Sequence, residues 1–312
     1  MALRPVLRIL EPEDIFTDAR EQVAFEMLDS WQIGEVKITR ILEMEMPLPY
    51  RADTAFMPKA TPEAIKKIDW LFPHYVTEEG FIKLAFQVFL VDAPGLRLVV
   101  DTCIGNDKPR HMLGGNSLQT SFLQNLDTAG WTRESVDLVV CTHLHVDHVG
   151  WNTMKDGDTW VPTFPNARYL FGATEYAYWS ESTDEDQVAI MLDSIKPVFE
   201  AGLVDLVETN HVISDEIKLI PTVGHTPGHV SVILESGSQN AMITGDFMHH
   251  PCQIAHPEWT VTFDEDPEAA ANCRKKILGE LADSTTLVIG THFSSPTAGK
   301  IVTVSEGLKF ES

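Results

Sequence analysis

The sequence predicts an α/β fold of the αββα type, a sandwich of two packed mixed β-sheets with helices on the outer faces. Two observations support this class. Strand-like and helix-like segments follow one another in two similar batches, and several apolar runs of strand length end in histidine or aspartate. Because the chain has 312 residues, 44% of them hydrophobic, it can bury a large core, and we expect one domain over residues 1–312.

The first batch of elements covers the N-terminal half. Strands are predicted at residues 34–46, 81–92, 96–101 and 136–148. Pro47 and Pro49 end the first strand, and an Ala-Pro-Gly turn joins the next two strands as a hairpin. Helices are predicted at residues 61–72 and 116–130. The first helix has Thr61 as its N-cap and Pro62 at its first position.

The second batch repeats this order in the C-terminal half. Strands are predicted at residues 204–209, 217–223, 229–236 and 240–246, with a last strand at 286–293. Helices are predicted at residues 191–202 and 267–283. Two batches of strands, each accompanied by helices, are what a sandwich of two sheets requires.

Composition excludes several classes of protein. The formal charge of −23 repels phosphate backbones and anionic lipid, so we expect neither nucleic acid nor membrane as a partner. The N-terminal apolar run is too short for a secretory signal, which predicts a cytoplasmic protein. The cysteines form no CxxC pair and are expected to be reduced and mostly buried; they are Cys103, Cys141, Cys252 and Cys273.

A dense polar cluster follows the apolar run at 136–140, in the stretch CTHLHVDHVGWN. Strand alternation would turn His143, His145 and Asp147 to one side, with His148 following at the start of a loop. Imidazole and carboxylate groups that converge at a strand end suit a divalent cation. Zinc is the first choice, and manganese, cobalt and iron are alternatives.

Later strand ends offer further ligands. His229 lies in the turn TVGHTPGHV, Asp246 ends the strand AMITGD, and His292 ends TLVIGTH. In the same turn, His225 is expected to brace the backbone that presents His229 rather than to touch metal. The four cluster residues and these three therefore predict a centre for two metal ions.

These motifs together resemble the metallo-β-lactamase superfamily, over roughly residues 34 to 302. The resemblance implies that His143, His145 and His229 hold one metal ion, that Asp147, His148 and His292 hold the other, and that Asp246 bridges them. It further implies that Asp101, at the end of LRLVVD, orients the ligands.

Within the superfamily, the sequence is similar to dizinc lactonases, acyl-homoserine-lactone lactonases above all. The expected activity is metal-dependent hydrolysis of a small-molecule lactone or carboxyl ester. The alternatives are a phosphotriesterase or arylesterase of the methyl parathion hydrolase type, and a non-catalytic metal-binding or ligand-sensing protein. The resemblance also implies a lid-like extension at residues 1–80, and the N-terminal segment could form a homodimer contact.

Two catalytic roles are expected beyond metal binding. Asp147 would pass a proton to the leaving alkoxide, as the resemblance implies, and His249 or, alternatively, His250 would hydrogen-bond the substrate, unless both histidines are structural. The best-known homoserine lactonases have tyrosine where this chain has His249. A substrate pocket is predicted with an apolar wall formed by Trp70, Phe72, Tyr75 and Trp151, and with His250 facing it from the segment after Asp246.

Overall fold

The computed structural model describes residues 28–312 of the chain. Its first sheet has seven strands in the order β1-β2-β3-β4-β5-β8-β9. Their bounds are β1 Ser30–Ile33, β2 Val36–Leu48, β3 Ile82–Ala93, β4 Leu96–Val100, β5 Leu138–Val140, β8 Arg168–Gly172 and β9 Val204–Val207. β3 and β4 are antiparallel, whereas β4, β5, β8 and β9 run parallel, so the sheet is mixed.

The second sheet has six strands in the order β10-β11-β12-β13-β14-β15. Their bounds are β10 Ile217–Pro221, β11 Val230–Ser236, β12 Gln239–Ile243, β13 Leu287–Ile289, β14 Ala298–Val304 and β15 Gly307–Glu311. Only β12 and β13 are parallel. A separate two-stranded hairpin is formed by β6 Thr153–Asp156 and β7 Thr159–Pro162.

The helices are short, except for the last one. They are α1 Pro62–Ile65, α2 Phe122–Thr128, α3 Ala173–Ser180, α4 Glu185–Ile190, α5 Lys196–Glu200, α6 Cys252–Ala255 and α7 Pro267–Leu281. A π-helical turn, Met191–Ile195, joins α4 to α5. Within residues 28–312, no helix is long and apolar enough to cross a membrane.

Side-chain alternation along the strands creates the layers. In β3, Phe89 and Val91 face the second sheet, while Val88 and Leu90 face the helices that cover the first sheet. The inner layer joins both sheets, and α7 packs on the outer face of the second sheet through Ile277, Leu278 and Leu281. The predicted α/β class, with two packed mixed sheets and outer helices, is therefore confirmed.

Several local predictions hold. β3 and β4 form the predicted hairpin, and Thr61 caps α1 by accepting a hydrogen bond from the Ala64 N–H at 3.2 Å. All four cysteines are free, and three of them are buried. Part of the predicted lid-like extension, residues 1–27, lies outside the described residues.

Other predictions of secondary structure were wrong. β2 continues through Pro47, which is tolerated because, among the described strands, β1 pairs with β2 only as far as Thr39 and leaves an open edge beyond it. The predicted last strand is followed by two more, β14 and β15. The strand predicted over residues 136–148 ends at Val140.

Candidate metal centre

Four strands end at one edge of the sandwich and carry the polar residues of the site. In the first sheet, β4 leads to Asp101 and the parallel neighbour β5 leads to the cluster 141–148. In the second sheet, β12 leads to Asp246 and the parallel neighbour β13 leads to His292. Because parallel strands end at the same edge, the two sheets bring their ligands to one place.

The histidine cluster is a compact turn and not a strand. It begins after Val140 and is closed by a hydrogen bond of 3.1 Å from the His148 N–H to the His145 carbonyl. Gly150 lets the loop after β4 pack directly against the turn, since a Cβ there would lie 1.9 Å from the Ile104 carbonyl oxygen. Convergence of the side chains therefore comes from this turn and not from strand alternation.

The first group of potential metal ligands consists of three imidazoles. The His145 Nδ1 lies 3.0 Å from the His143 Nε2 and 3.0 Å from the His225 Nε2. One ring nitrogen of each of these residues could contact the same ion. His143 and His225 are fully enclosed, so the group is removed from bulk water.

The second group consists of Asp147, His148 and His292. The His148 Nε2 lies 3.6 Å from an Asp147 carboxylate oxygen, and the His292 Nε2 lies 3.5 Å from the other one. The Asp147 side chain is 15% exposed, whereas that of His148 is fully buried. Asp147 is therefore the group of this set that solvent and a substrate can reach.

Asp246 lies between the two groups. Its Oδ2 is 3.7 Å from the His143 Nε2, 3.5 Å from the His225 Nε2 and 3.3 Å from the His148 Nε2. Its Oδ1 is 3.2 Å from the His292 Nε2. One carboxylate thus faces the imidazoles of both groups, which is the position a bridging ligand requires.

Acceptors outside the centre fix the orientation of three imidazoles. The Nδ1 of His148 faces Asp101 at 2.9 Å, that of His225 faces Asp264 at 2.9 Å, and that of His292 faces the Ala85 carbonyl at 2.8 Å. Each acceptor holds the proton on Nδ1, so the lone pair on Nε2 points into the site.

Asp101 has the position in which the resemblance placed an orienting residue. Besides contacting His148, its carboxylate accepts a hydrogen bond of 2.8 Å from the Thr142 N–H at the start of the histidine turn. Its backbone is left-handed, with φ of 58°, which is unfavourable for a residue other than glycine. The hydrogen bonds of the carboxylate hold it there.

The geometry contradicts the expected role of His229. Its Nδ1 lies 2.7 Å from the Thr222 hydroxyl, and its Nε2 accepts a hydrogen bond of 2.7 Å from the Asp246 N–H. Both ring nitrogens are therefore occupied by protein groups, and His225 stands in the first group instead. The expectation inverted the roles of the two histidines, because His229 braces the backbone of Asp246 and His225 points inward.

The charge states of the two groups differ. Burial, followed by neighbouring imidazoles, lowers the pKa of His143, His145 and His225 well below the ordinary value. Burial also lowers the pKa of His148, but Asp246 and the other carboxylates outweigh it and raise this pKa well above the ordinary value. The first group is therefore neutral, while the second group attracts positive charge.

Two buried atoms indicate that the site fits divalent ions. Among the described residues, the His148 Nε2 and the Asp246 Oδ1 are buried and have no hydrogen-bond partner. A cation bound where these imidazoles and carboxylates converge would satisfy both atoms, whose contacts of 3.2 and 3.3 Å with the other ligand candidates do not form hydrogen bonds. The donor set of nitrogen and carboxylate oxygen, without thiolate, suits zinc and other divalent first-row metals.

Most of the predicted pocket residues are part of the hydrophobic core. Tyr75 and Trp151 are 3% exposed and belong to the cores, where Tyr75 donates to the Pro296 carbonyl and Trp151 stacks on Phe122. Phe72 is 52% exposed, and Trp70 is partly buried against the core cluster that contains Tyr75.

His250 is also structural. Its Nε2 faces the Tyr75 carbonyl at 2.8 Å, and its Nδ1 accepts a hydrogen bond from the Cys252 N–H. Tyr75, Trp151 and His250 are therefore core residues and do not form the predicted pocket, because their polar atoms are bound to other protein groups and their rings are buried.

His249 does reach the centre. Its Nε2 lies 3.2 Å from the Asp246 Oδ2, and its ring is stacked on that of His292 with centroids 5.8 Å apart. Phe56 meets this ring edge-on at 5.3 Å. Sequence reasoning missed Phe56, as well as Trp179, whose ring lies 5.2 Å from His145.

Asp264 is the third functional residue that the sequence did not reveal. It lies in a loop before α7, with no apolar strand in front of it to mark its position. Its Oδ2 accepts from the Val261 N–H while its Oδ1 faces His225. In the sequence, Asp264 is marked only by the acidic run DEDPE, and such a run is equally typical of the start of a helix.

Comparison with known proteins identifies the family. The sequence signature of the metallo-beta-lactamase superfamily matches residues 87–292, which contain every ligand candidate described above. The chain belongs to this superfamily, and it is a metal-dependent hydrolase of that class. None of the curated protein sequences compared matches the chain.

Solved structures support the same fold. The hydrolase AbOPH of the beta-lactamase superfamily is 25% identical, with a TM-score of 0.71 over 91% of this chain and 96% of that one. AidC, a dizinc quorum-quenching lactonase, is 21% identical, with a TM-score of 0.75 over the same shares. An N-acyl homoserine lactone hydrolase is 16% identical, with a TM-score of 0.57 over 84% of this chain and 94% of that one.

Proposed function

We propose that the protein uses two divalent metal ions, zinc first among them, to hydrolyse a lactone or a carboxyl ester. One observation carries the proposal. Two groups of three ligand candidates lie on either side of a single buried carboxylate, Asp246, and this is the arrangement a dinuclear centre needs.

The proposed ligand set follows from the distances. His143, His145 and His225 would hold one ion, and Asp147, His148 and His292 would hold the other. Asp246, which faces both groups, would be the ligand they share. Compared with the set that the resemblance implied, the only change is His225 in place of His229.

When bound, the two ions lower the pKa of a water molecule toward neutrality and polarise the substrate carbonyl. The residues of the chain supply the remaining steps. Asp147, whose carboxylate is reachable from solvent, takes the proton that the attacking water loses and passes it to the leaving alkoxide oxygen. Asp101 and Asp264 keep His148 and His225 in the tautomer that presents Nε2.

We assign the orientation of the substrate to His249. Its side chain faces the same space as Asp246 and lies against Phe56, which is half-buried. A ring in this position can donate a hydrogen bond to a substrate oxygen while Phe56 excludes water from one side.

The relatives support the choice of substrate class. AidC is described as a dizinc lactonase in complex with a product, and a second neighbour has N-hexanoyl-L-homoserine bound at its catalytic metal centre. At identities of 21% and 16%, the likeness of these proteins to this chain shows a shared fold. The lactone substrate is therefore our proposal for this chain.

A substrate panel tests the proposal. The purified protein, loaded with Zn²⁺, is assayed with an acyl-homoserine lactone, a γ-lactone, an aryl ester, a phosphotriester, a glutathione thioester and a cephalosporin. We expect turnover of the lactones or the aryl ester, lost in Asp246→Asn and retained in His256→Gln, which changes a surface histidine paired with Glu258. Turnover of only the thioester or the cephalosporin would refute the proposed substrate class.

A further inference from the structure

Glu175 is a buried acid in the first turn of α3, and its side chain faces the histidine turn. It is 1% exposed. Its Oε1 accepts hydrogen bonds from the Leu144 N–H at 3.1 Å and the Trp179 indole N–H at 2.6 Å. Its Oε2 accepts a hydrogen bond from the Gly228 N–H at 2.9 Å. Fixed donors on three segments therefore converge on one carboxylate.

Two of these donors belong to the segments that carry the first group of imidazoles. Leu144 lies between His143 and His145, and Gly228 lies in the turn that begins at His225. The contact at Gly228 is close, since a Cβ there would lie 2.4 Å from the Glu175 backbone nitrogen. Glu175 thus connects the histidine turn of the first sheet with the glycine-rich turn of the second.

Other contacts tighten the same connection. The Leu144 carbonyl accepts a hydrogen bond of 3.1 Å from the Gln187 side chain in α4, so both backbone groups of Leu144 are held by side chains. The indole that Glu175 fixes belongs to Trp179, whose ring packs on His145. The Leu144 backbone is therefore held by α3 and α4 at two points, and the His145 ring contacts α3 at a third.

A second buried acid, Glu43, also accepts hydrogen bonds from two backbone N–H groups and one indole, but it does not join two segments that carry proposed ligands. Glu43, 8% exposed, accepts hydrogen bonds from the Ile104 N–H at 2.8 Å, the Gly105 N–H at 3.3 Å and the Trp151 indole at 2.7 Å. None of these donors lies between two proposed ligands. Glu43 is thus a natural control for the effect of neutralising a buried, hydrogen-bonded carboxylate.

We propose that Glu175 is a positioning residue of the metal centre, which sets the separation between His143 and His145 on one side and His225 on the other. This inference rests on the proposed dinuclear function. A glutamine at position 175 would point an amide N–H₂ at a backbone donor, either at Leu144 or at Gly228, and would push the two turns apart.

The test measures metal binding and not turnover. Zn²⁺ affinity is determined for the wild type, Glu175→Gln and Glu43→Gln by competition with a chromophoric chelator, and the visible spectrum of the Co²⁺ form is recorded. Thermal unfolding of the metal-free proteins reports stability. We expect Glu175→Gln to reduce the affinity for one of the two ions about 10- to 100-fold and to change the Co²⁺ spectrum. Glu43→Gln should be less stable but bind both ions like the wild type.

The outcomes separate this inference from the proposed function. If the wild type binds fewer than two ions, the dinuclear centre fails and the inference fails with it. Two other outcomes, in a wild type that binds two ions, would refute only the positioning role. In the first, Glu175→Gln binds both ions as tightly as the wild type. In the second, Glu43→Gln lowers the affinity as much as Glu175→Gln does.

A second variant covers the case in which Glu175→Gln does not fold. Trp179→Phe removes one donor to Glu175 and keeps an aromatic ring beside His145. It should reduce the affinity for the same ion about threefold to tenfold, in line with the loss of one hydrogen bond. Unchanged affinity in this variant would refute the positioning role.

Discussion

The region around Glu175 and the region around Glu43 use the same interactions to hold different parts of the molecule. Glu175 joins two turns that carry imidazoles of the metal centre. Glu43 is the extra residue of a β-bulge in β2, and the bulge turns its carboxylate inward to meet the loop after β4. The first region determines where ligands lie, and the second determines how the scaffold behind them packs.

Lys108 completes the second region. Its Nζ donates to the Gly150 carbonyl at 2.7 Å, the Thr153 hydroxyl at 2.6 Å and the Ser194 hydroxyl at 3.0 Å. Burial lowers the pKa of Lys108 to about 7, and burial raises the pKa of Glu43 to about 7. Substitutions here should therefore change stability and its pH dependence, whereas substitutions near Glu175 and the ligands should change metal binding.

The largest effect should come from replacing His225, and His229 in the same turn provides the matched comparison. His225→Ala removes a proposed ligand and should lower kcat about 1,000-fold, with the loss of one ion, because a catalytic metal contributes several kcal/mol. His229→Ala should keep both ions, with affinity reduced about 10- to 100-fold, since it only braces Asp246. Metal analysis and steady-state kinetics check both. The reverse order of severity would contradict the assignment.

The second effect concerns pH and stability in the Glu43 region. Because the folded pKa of Glu43 is about 7 against an ordinary 4.5, the folded state binds the extra proton between these values. Relative to Glu43→Gln, the stability of the wild type is thus greatest below pH 4.5 and is lost as the pH rises through 7, by on the order of 3 kcal/mol. Urea unfolding of both metal-free proteins from pH 4.5 to 8 measures the difference. A difference that does not change with pH would refute a buried, proton-binding Glu43.

A smaller effect is expected at Asp264, which holds the Nδ1 proton of His225. Asp264→Ala should reduce the affinity for one ion about 10- to 100-fold without changing the ligand count. Asp205→Ala is the control, because that acid pairs with Arg168 at the surface. Chelator competition is the measurement, and equal affinities in the two variants would show that Asp264 does not orient His225.

The smallest effect should be at Phe56, which touches His249. Phe56→Ala should raise KM severalfold with kcat within about twofold, as expected for the loss of one apolar contact to the substrate. Phe72→Ala, at the exposed aromatic first predicted to line the pocket, should leave both constants unchanged. A larger effect of Phe72→Ala would restore the original pocket prediction.

The sequence was informative where a local rule applied. The apolar runs located the strand ends before Asp101, Asp246 and His292, and Thr61 was recognised as a helix cap. The Ala-Pro-Gly turn between two apolar runs also located the β3–β4 hairpin. These features depend on residues close together in the chain.

Features that depend on distant residues could not be predicted. Spacing alone cannot tell which histidine of GHTPGH turns inward, because the choice is made by Asp264 for His225 and by Thr222 for His229. Likewise, Trp151 was predicted to line the pocket, but its indole bonds to Glu43, 108 residues earlier in the chain. Composition identifies aromatic side chains but not the surfaces they face.

Metal content measured together with activity tests the central claim most directly. The purified protein should contain two divalent ions per chain, lose lactone hydrolysis when a chelator removes them, and regain it when Zn²⁺ is restored. A protein that holds fewer than one ion per chain, and hydrolyses its substrate equally well in the presence of the chelator, would contradict the dinuclear mechanism.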